Sequence, residues 1–87
     1  MDTLGGSTSE LSEKERYTLG FLIDLEDRGS EWPPLTRIVN AVGITHSGCE
    51  SMLARLAGRG FVHIHVTLDE STKQYAITRA GRACYFA

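Results

Sequence analysis

Basic residues are not in excess in this 87-residue chain: nine Lys and Arg stand against eleven Asp and Glu, a formal net charge of −2. A uniformly cationic, polyanion-coating surface is thereby excluded. Any contact with nucleic acid has to rest on where the charges sit. Cysteine is scarce too. Cys49 and Cys84 make no disulfide framework and lack metal-ligand spacing, so each reads as a small buried hydrophobe in a reduced, cytoplasmic setting. No apolar run approaches the roughly 20 residues that span a bilayer, and no membrane association is expected. The start, Met1-Asp2-Thr3-Leu4-Gly5-Gly6-Ser7, has neither the basic nor the apolar segment of a secretory signal. Catalytic vocabulary is missing as well: there is no Gly-rich phosphate loop, no nucleophile elbow and no convergent acid–base pair. The expectation is a non-enzyme with no catalytic residue, no metal and no cofactor.

What is there suits one small domain with a thin stability margin, for which dimerisation is a common way to add buried area. Residues 1–10, rich in Gly, Ser and Thr, read as a flexible tail, and residues 11–87 as the domain. Ser12 and Glu15 have the spacing of a capping box, which starts a first helix that runs to about Asp27 and stops at Gly29. Leu19, Leu22 and Ile23 make one apolar stripe on it, and Tyr17, Phe21 and Leu25 a neighbouring one. Together they cover more of the helix than one small core needs, so the second stripe reads as core or as a dimer face. Pro34 suits the first position of a second helix, on which Leu35, Ile38, Val39 and Val42 form one face. Gly43 ends that helix. Thr45 or Ser47 caps a third, on which Cys49, Met52, Leu53 and Leu56 repeat the spacing until Gly58 and Gly60. From Phe61 to Leu68 the period becomes two, with Val62, Ile64, Val66 and Leu68 on one face. After a polar turn, Asp69-Glu70-Ser71-Thr72, a second strand follows from Lys73 to Thr78, and the two make a hairpin. The tail from Arg79 to Ala87 is too apolar to hang in water. It reads as a short helix or an ordered extension that packs on the first helix or on a partner.

Two short helices joined by a tight turn, Gly43-Ile44-Thr45, are the helix-turn-helix pattern, and a hairpin directly after it makes a wing. The run Leu35-Thr36-Arg37-Ile38-Val39-Asn40-Ala41-Val42-Gly43-Ile44-Thr45, then Leu53-Ala54-Arg55-Leu56 and Gly60-Phe61-Val62, resembles the winged-helix transcriptional regulators of prokaryotes, in the broad style of the MarR and PadR groups. So does Tyr75-Ala76-Ile77-Thr78-Arg79-Ala80-Gly81, which is similar to the element those proteins carry after the wing. The fold class is then α+β, mainly helical: three helices, a β-hairpin wing and a short apolar C-terminal segment. The resemblance implies a transcriptional regulator of double-stranded DNA whose third helix reads the major groove, as a homodimer.

Recognition helices contact bases mainly through their N-terminal residues. That makes His46, Ser47, Glu50 and Ser51 base-edge candidates, with Thr45 beside them among the expected DNA-binding residues. Arg55 either pairs with guanine or phosphate or forms an ion pair with Glu50 or Glu26. Thr36 and Arg37 have the groups to bind phosphate at the start of the second helix, and Arg59 and Lys73 to add backbone contacts. Two features run against the pattern. Glu50 needs a specific partner such as a cytosine amino group, because phosphates repel it. The wing tip carries Asp69 and Glu70 where such wings usually carry Arg or Lys. An alternative function is a winged helix used for protein–protein interaction. The dimer-interface candidates are Tyr17, Phe21, Leu25, Tyr85 and Phe86. His63 and His65 share one side of their strand without a third metal ligand nearby and read as solvent-facing. Trp32 is expected to cover the edge of the short sheet.

Overall fold

The computed structural model of the chain describes residues 11–69 and 72–87. The expected tail over residues 1–10 and the wing-tip residue Glu70 lie outside the described residues. In chain order the elements are α1 (Glu13–Asp27), α2 (Leu35–Val42), α3 (His46–Gly58), β1 (Val62–Val66), β2 (Lys73–Ile77) and α4 (Arg79–Phe86). This is a winged helix-turn-helix.

Local chemistry sets most of these boundaries. At the start of α1, the Ser12 hydroxyl accepts from the Glu15 N–H at 3.1 Å, and the Glu15 carboxylate accepts from the Ser12 N–H at 2.8 Å. Two orphan donors are thus satisfied by a reciprocal pair. At its end the Gly29 N–H reaches the Glu26 carbonyl and the Ser30 N–H reaches the Leu25 carbonyl. This double bond pattern needs a left-handed residue, which Gly29 supplies at φ 74°. Gly60 closes α3 in the same way, at φ 84°: its N–H goes to the Ala57 carbonyl and that of Phe61 to Leu56. Pro34 differs by one position from the expectation. It is the N-cap of α2 and not its first residue. Its backbone stays extended because it also bridges Gln74 of β2, while the Pro33 carbonyl accepts from the Tyr75 N–H at 3.1 Å. The chain before α2 therefore lies along β2, on the side away from β1.

The apolar faces expected of the helices converge on one core. Leu19, Leu22 and Ile23 of α1 meet Ile38 and Val42 of α2, Cys49, Met52, Leu53 and Leu56 of α3, and Val62, Tyr75 and Ile77 of the hairpin. Ile44, in the turn between α2 and α3, packs half-buried against this cluster. One buried polar residue was not anticipated. The Thr18 hydroxyl donates to the Lys14 carbonyl one turn back at 2.8 Å, which allows it to sit fully buried beside Met52.

In the hairpin, Val62 lies opposite Ile77, Ile64 opposite Tyr75 and Val66 opposite Lys73. β1 stops at Val66, earlier than its alternation suggested. Beyond it the Thr67 N–H bonds to the Thr72 carbonyl as the chain turns, and Leu68 is fully exposed. Trp32 meets the edges of His63 and His65, with ring centroids 6.0 and 5.5 Å apart, so the two exposed histidines carry an aromatic lid. The C-terminal segment is a helix, α4, lying against α1. Among the described residues no helix is long and apolar enough to cross a membrane, and no group of three metal-binding side chains converges.

Candidate nucleic-acid interface

The turn into α3 is built by two residues. Gly43 takes φ 80° and donates its N–H to the Val39 carbonyl at 2.8 Å. Thr45 then caps α3 by accepting from the Gly48 N–H at 3.1 Å. A Cβ on Gly48 would stand 2.9 Å from that hydroxyl oxygen, so glycine leaves the cap room to close. Thr45 is therefore the cap, and Ser47 is the second residue of the helix, within its first turn.

With Cys49, Met52, Leu53 and Leu56 turned into the core, the opposite side of α3 presents His46, Ser47, Glu50, Ser51 and Ala54, all exposed. This is one contiguous strip that starts at the helix N-terminus, where the macrodipole favours anions. Arg55 stands at the flank of the strip and takes a partner that sequence reasoning missed. Its guanidinium lies 3.7 Å from Glu15, not beside Glu50 or Glu26. Glu15 is buried as the reciprocal cap of α1, so its carboxylate serves both the helix start and a cation from α3. Glu26 instead takes Arg82 of α4 at 2.7 Å, together with Asp27.

Glu50 and Lys73, both candidates, pair with each other at 3.8 Å and so join α3 to the wing strand β2. The charge of Glu50 also acts on the core. The fully buried Tyr75 phenol is pushed above its ordinary value first by burial, then by the negative charge of Glu50. Arg59 stacks over the Phe61 ring with 4.8 Å to the centroid. Thr36 and Arg37 are exposed on the first turn of α2, which has no side-chain cap. Arg37 has no ion-pair partner among the described residues. At the wing, Asp69 accepts from the Thr67 hydroxyl at 2.6 Å.

The element after the wing acts as a clamp. Thr78 accepts from the Gly81 N–H at 2.9 Å, capping α4, and its hydroxyl donates to the Gly60 carbonyl at 2.6 Å. Its own N–H donates to the Phe61 carbonyl at 3.2 Å. The end of α3 and the start of α4 are thereby locked together.

The expected dimer residues divide. Tyr17 is 55% exposed and Phe86 68%, and Phe21 and Tyr85 are half-buried around an open groove between α1 and α4. Leu25 is buried within the single chain, 4% exposed, and offers no free surface. Tyr85 is seated by Gly20, whose missing Cβ would stand 2.9 Å from the phenol oxygen, and by Arg16, which donates to the Tyr85 carbonyl at 3.0 Å.

No protein-family model matches the chain, and no curated protein matches it in sequence. Solved structures do. MepR, a transcription regulator of the Staphylococcus aureus multidrug efflux pump MepA, superposes with a TM-score of 0.78 at 16% identity, over 92% of this chain and 56% of that one. The S. aureus MepR–DNA complex gives 0.78 at 17% identity, over 93% and 64%. Bordetella bronchiseptica BpsR, whose DNA binding is regulated by 6-hydroxynicotinic acid, gives 0.71 at 22%, over 90% and 56%. The chain thus spans less than two thirds of the length of each of these proteins. At such identities the likeness is one of architecture: nearly the whole chain has the winged helix-turn-helix fold seen in MepR and BpsR.

Proposed function

We propose that this chain is a non-enzymatic, sequence-specific DNA-binding transcriptional regulator of the cytoplasm, acting as a homodimer that reads the major groove with α3. The carrying observation is the strip His46, Ser47, Glu50 and Ser51. It is polar, exposed and contiguous, it begins at the N-terminus of α3, and it borders the wing through the Glu50–Lys73 pair. Hydroxyls and an imidazole at that end of a recognition helix suit base edges. Arg37, without an ion-pair partner among the described residues, and the uncapped start of α2 suit phosphate, which would set register on the duplex. The existence of a DNA complex for a protein of the same fold lends further support.

One observation favours a second reading, a winged helix that binds protein. Two cations that border the strip already face carboxylates, Arg55 on Glu15 and Lys73 on Glu50. Electrophoretic mobility on the DNA flanking its own coding sequence separates the two. A salt-sensitive shift at micromolar protein, weakened by Arg37→Ala, supports the regulator. Absence of any shift, with co-purification of a protein partner, supports the alternative.

A further inference from the structure

The wing hairpin holds a pair of imidazoles that the strip on α3 does not use. His63 and His65 stand two residues apart on β1, so they share one face about 7 Å apart, and both are exposed. Trp32 precedes the Pro33–Pro34 segment on the far side of β2. Its ring reaches both imidazoles across that strand and holds them from the β2 side. Two imidazoles are half of a tetrahedral nitrogen site. Among the described residues, no third His, Cys, Asp or Glu of the same chain joins them. The edge they stand on is open as well. β1 pairs with β2 alone among the described strands. The Thr78 N–H donates to the Phe61 carbonyl and the Thr67 N–H to that of Thr72, so the odd-numbered residues of β1 turn their backbone groups to β2. The N–H and C=O of Val62, Ile64 and Val66 therefore point away from the hairpin. This strand, Val-His-Ile-His-Val, has no Lys, Pro or bulge, the usual guards of an exposed edge.

We propose that His63 and His65 form half of a site for a divalent transition-metal ion of the zinc class, completed by the same two residues of a second copy whose β1 pairs antiparallel along this edge. The strand is complementary to itself. In the register centred on Ile64, Val62 faces Val66 of the second copy, and each facing pair exchanges both of its N–H···O bonds. A slip of one residue opposes outward-pointing backbone groups with inward-pointing ones, and a slip of two gives up facing pairs. The same register sets His63 opposite His65 of the second copy, in the close type of pair with Cα atoms about 4.5 Å apart. The imidazoles of both copies then stand on one face around the two-fold axis. Neither copy has the site alone. Imidazole nitrogen suits zinc, copper and nickel, whereas calcium and magnesium take oxygen. The site uses no residue of the strip on α3 and stands whether or not the chain binds DNA.

Sedimentation velocity on the full chain, with Zn²⁺ alone as the probe, tests this. Half an equivalent of Zn²⁺ per chain is expected to at least double the mean mass, and excess EDTA to reverse it. Trp32, the single tryptophan, reports on the site directly. Its emission is expected to change with the same end point of one zinc per two chains. H63A and H65A, both at exposed positions, are each expected to raise the zinc needed for assembly at least about tenfold. V66P removes an outward N–H that the hairpin does not use, and is expected to raise it several-fold. Circular dichroism shows that each variant is folded. A mass that zinc leaves unchanged overturns the proposal. So does an end point of one zinc per chain, which means that each copy holds its own ion. Assembly of H63A or H65A at the wild-type zinc concentration places the metal elsewhere, and assembly of V66P at that concentration removes the strand pairing; either result overturns the shared site.

Discussion

At the residue scale, two glycines of ordinary backbone make opposite predictions. A Cβ on Gly81 would collide with the Phe61 carbonyl oxygen and stand 2.8 Å from the Ile77 side chain. The carbonyl cannot step aside, because it accepts from the Thr78 N–H. Gly81→Ala is expected to cost about 3 kcal/mol or more by urea unfolding. Gly58 meets nothing within 4 Å, so Gly58→Ala is expected to add up to about 1 kcal/mol through the higher helix propensity of alanine. A second residue-scale prediction concerns pH. Burial, then Glu50, then Cys49 push the Tyr75 phenol above its ordinary value near 10, and burial pushes the Cys49 thiol above its value near 9. Both groups lose a proton more easily in the unfolded chain than in the folded one. Stability is therefore intact below those ordinary values and falls as pH rises through the folded ones. The urea midpoint should decline in alkaline solution, and Tyr75→Phe should make that decline shallower. An identical decline in the variant would show that Tyr75 does not supply it.

At the element scale, Thr78 joins three pieces of the fold. Thr78→Val keeps the shape and removes the hydroxyl, and with it the cap of α4 and the bond to the Gly60 carbonyl. The loss should be about 1–2 kcal/mol, measured by chemical unfolding. Fluorescence of the Tyr85 region should respond before the α3 core does, since α4 is the element released. This clamp also shows what a sequence discloses and what it hides. Ser12 and Glu15 declared the start of α1 because both partners of the capping box lie within one turn. The helix faces were legible because core burial imposes the 3.6-residue period on them, and all four apolar residues expected of α3 are buried. The Ile77-Thr78-Arg79-Ala80-Gly81 element was recognisable as a pattern, yet its role depends on the Gly60 carbonyl, which only the folded chain brings alongside. Pro34 was off by one residue for the same reason, because a bridge to Gln74 holds it extended. Leu25 read by spacing as core or as dimer face, and tertiary packing claims it for the core of the monomer. The site followed this rule too. Which residues line the strip on α3 came from periodicity, whereas the Arg55–Glu15 pair joins two helices far apart in sequence.

At the scale of the whole molecule, a chain of net charge −2 has to concentrate what positive potential it has. The proposed DNA-binding face does so only in part, since Glu50 ties up Lys73 and sits among the groups that would meet the duplex. A carboxylate there opposes phosphate at long range and rewards a cytosine amino group at short range. Its effect on affinity and its effect on specificity should therefore have opposite signs. Glu50→Gln keeps the size of the side chain, removes the charge and releases Lys73. On random duplex DNA it is expected to bind several-fold more tightly than wild type, with a dependence of log K on log salt steeper by about one. On the preferred site the gain should shrink or reverse, so that the ratio of specific to non-specific affinity falls. Titrations of both duplexes at several salt concentrations measure the two effects on one variant. If neither affinity nor salt slope moves on either duplex, Glu50 does not face DNA, and the strip on α3 belongs to a protein partner.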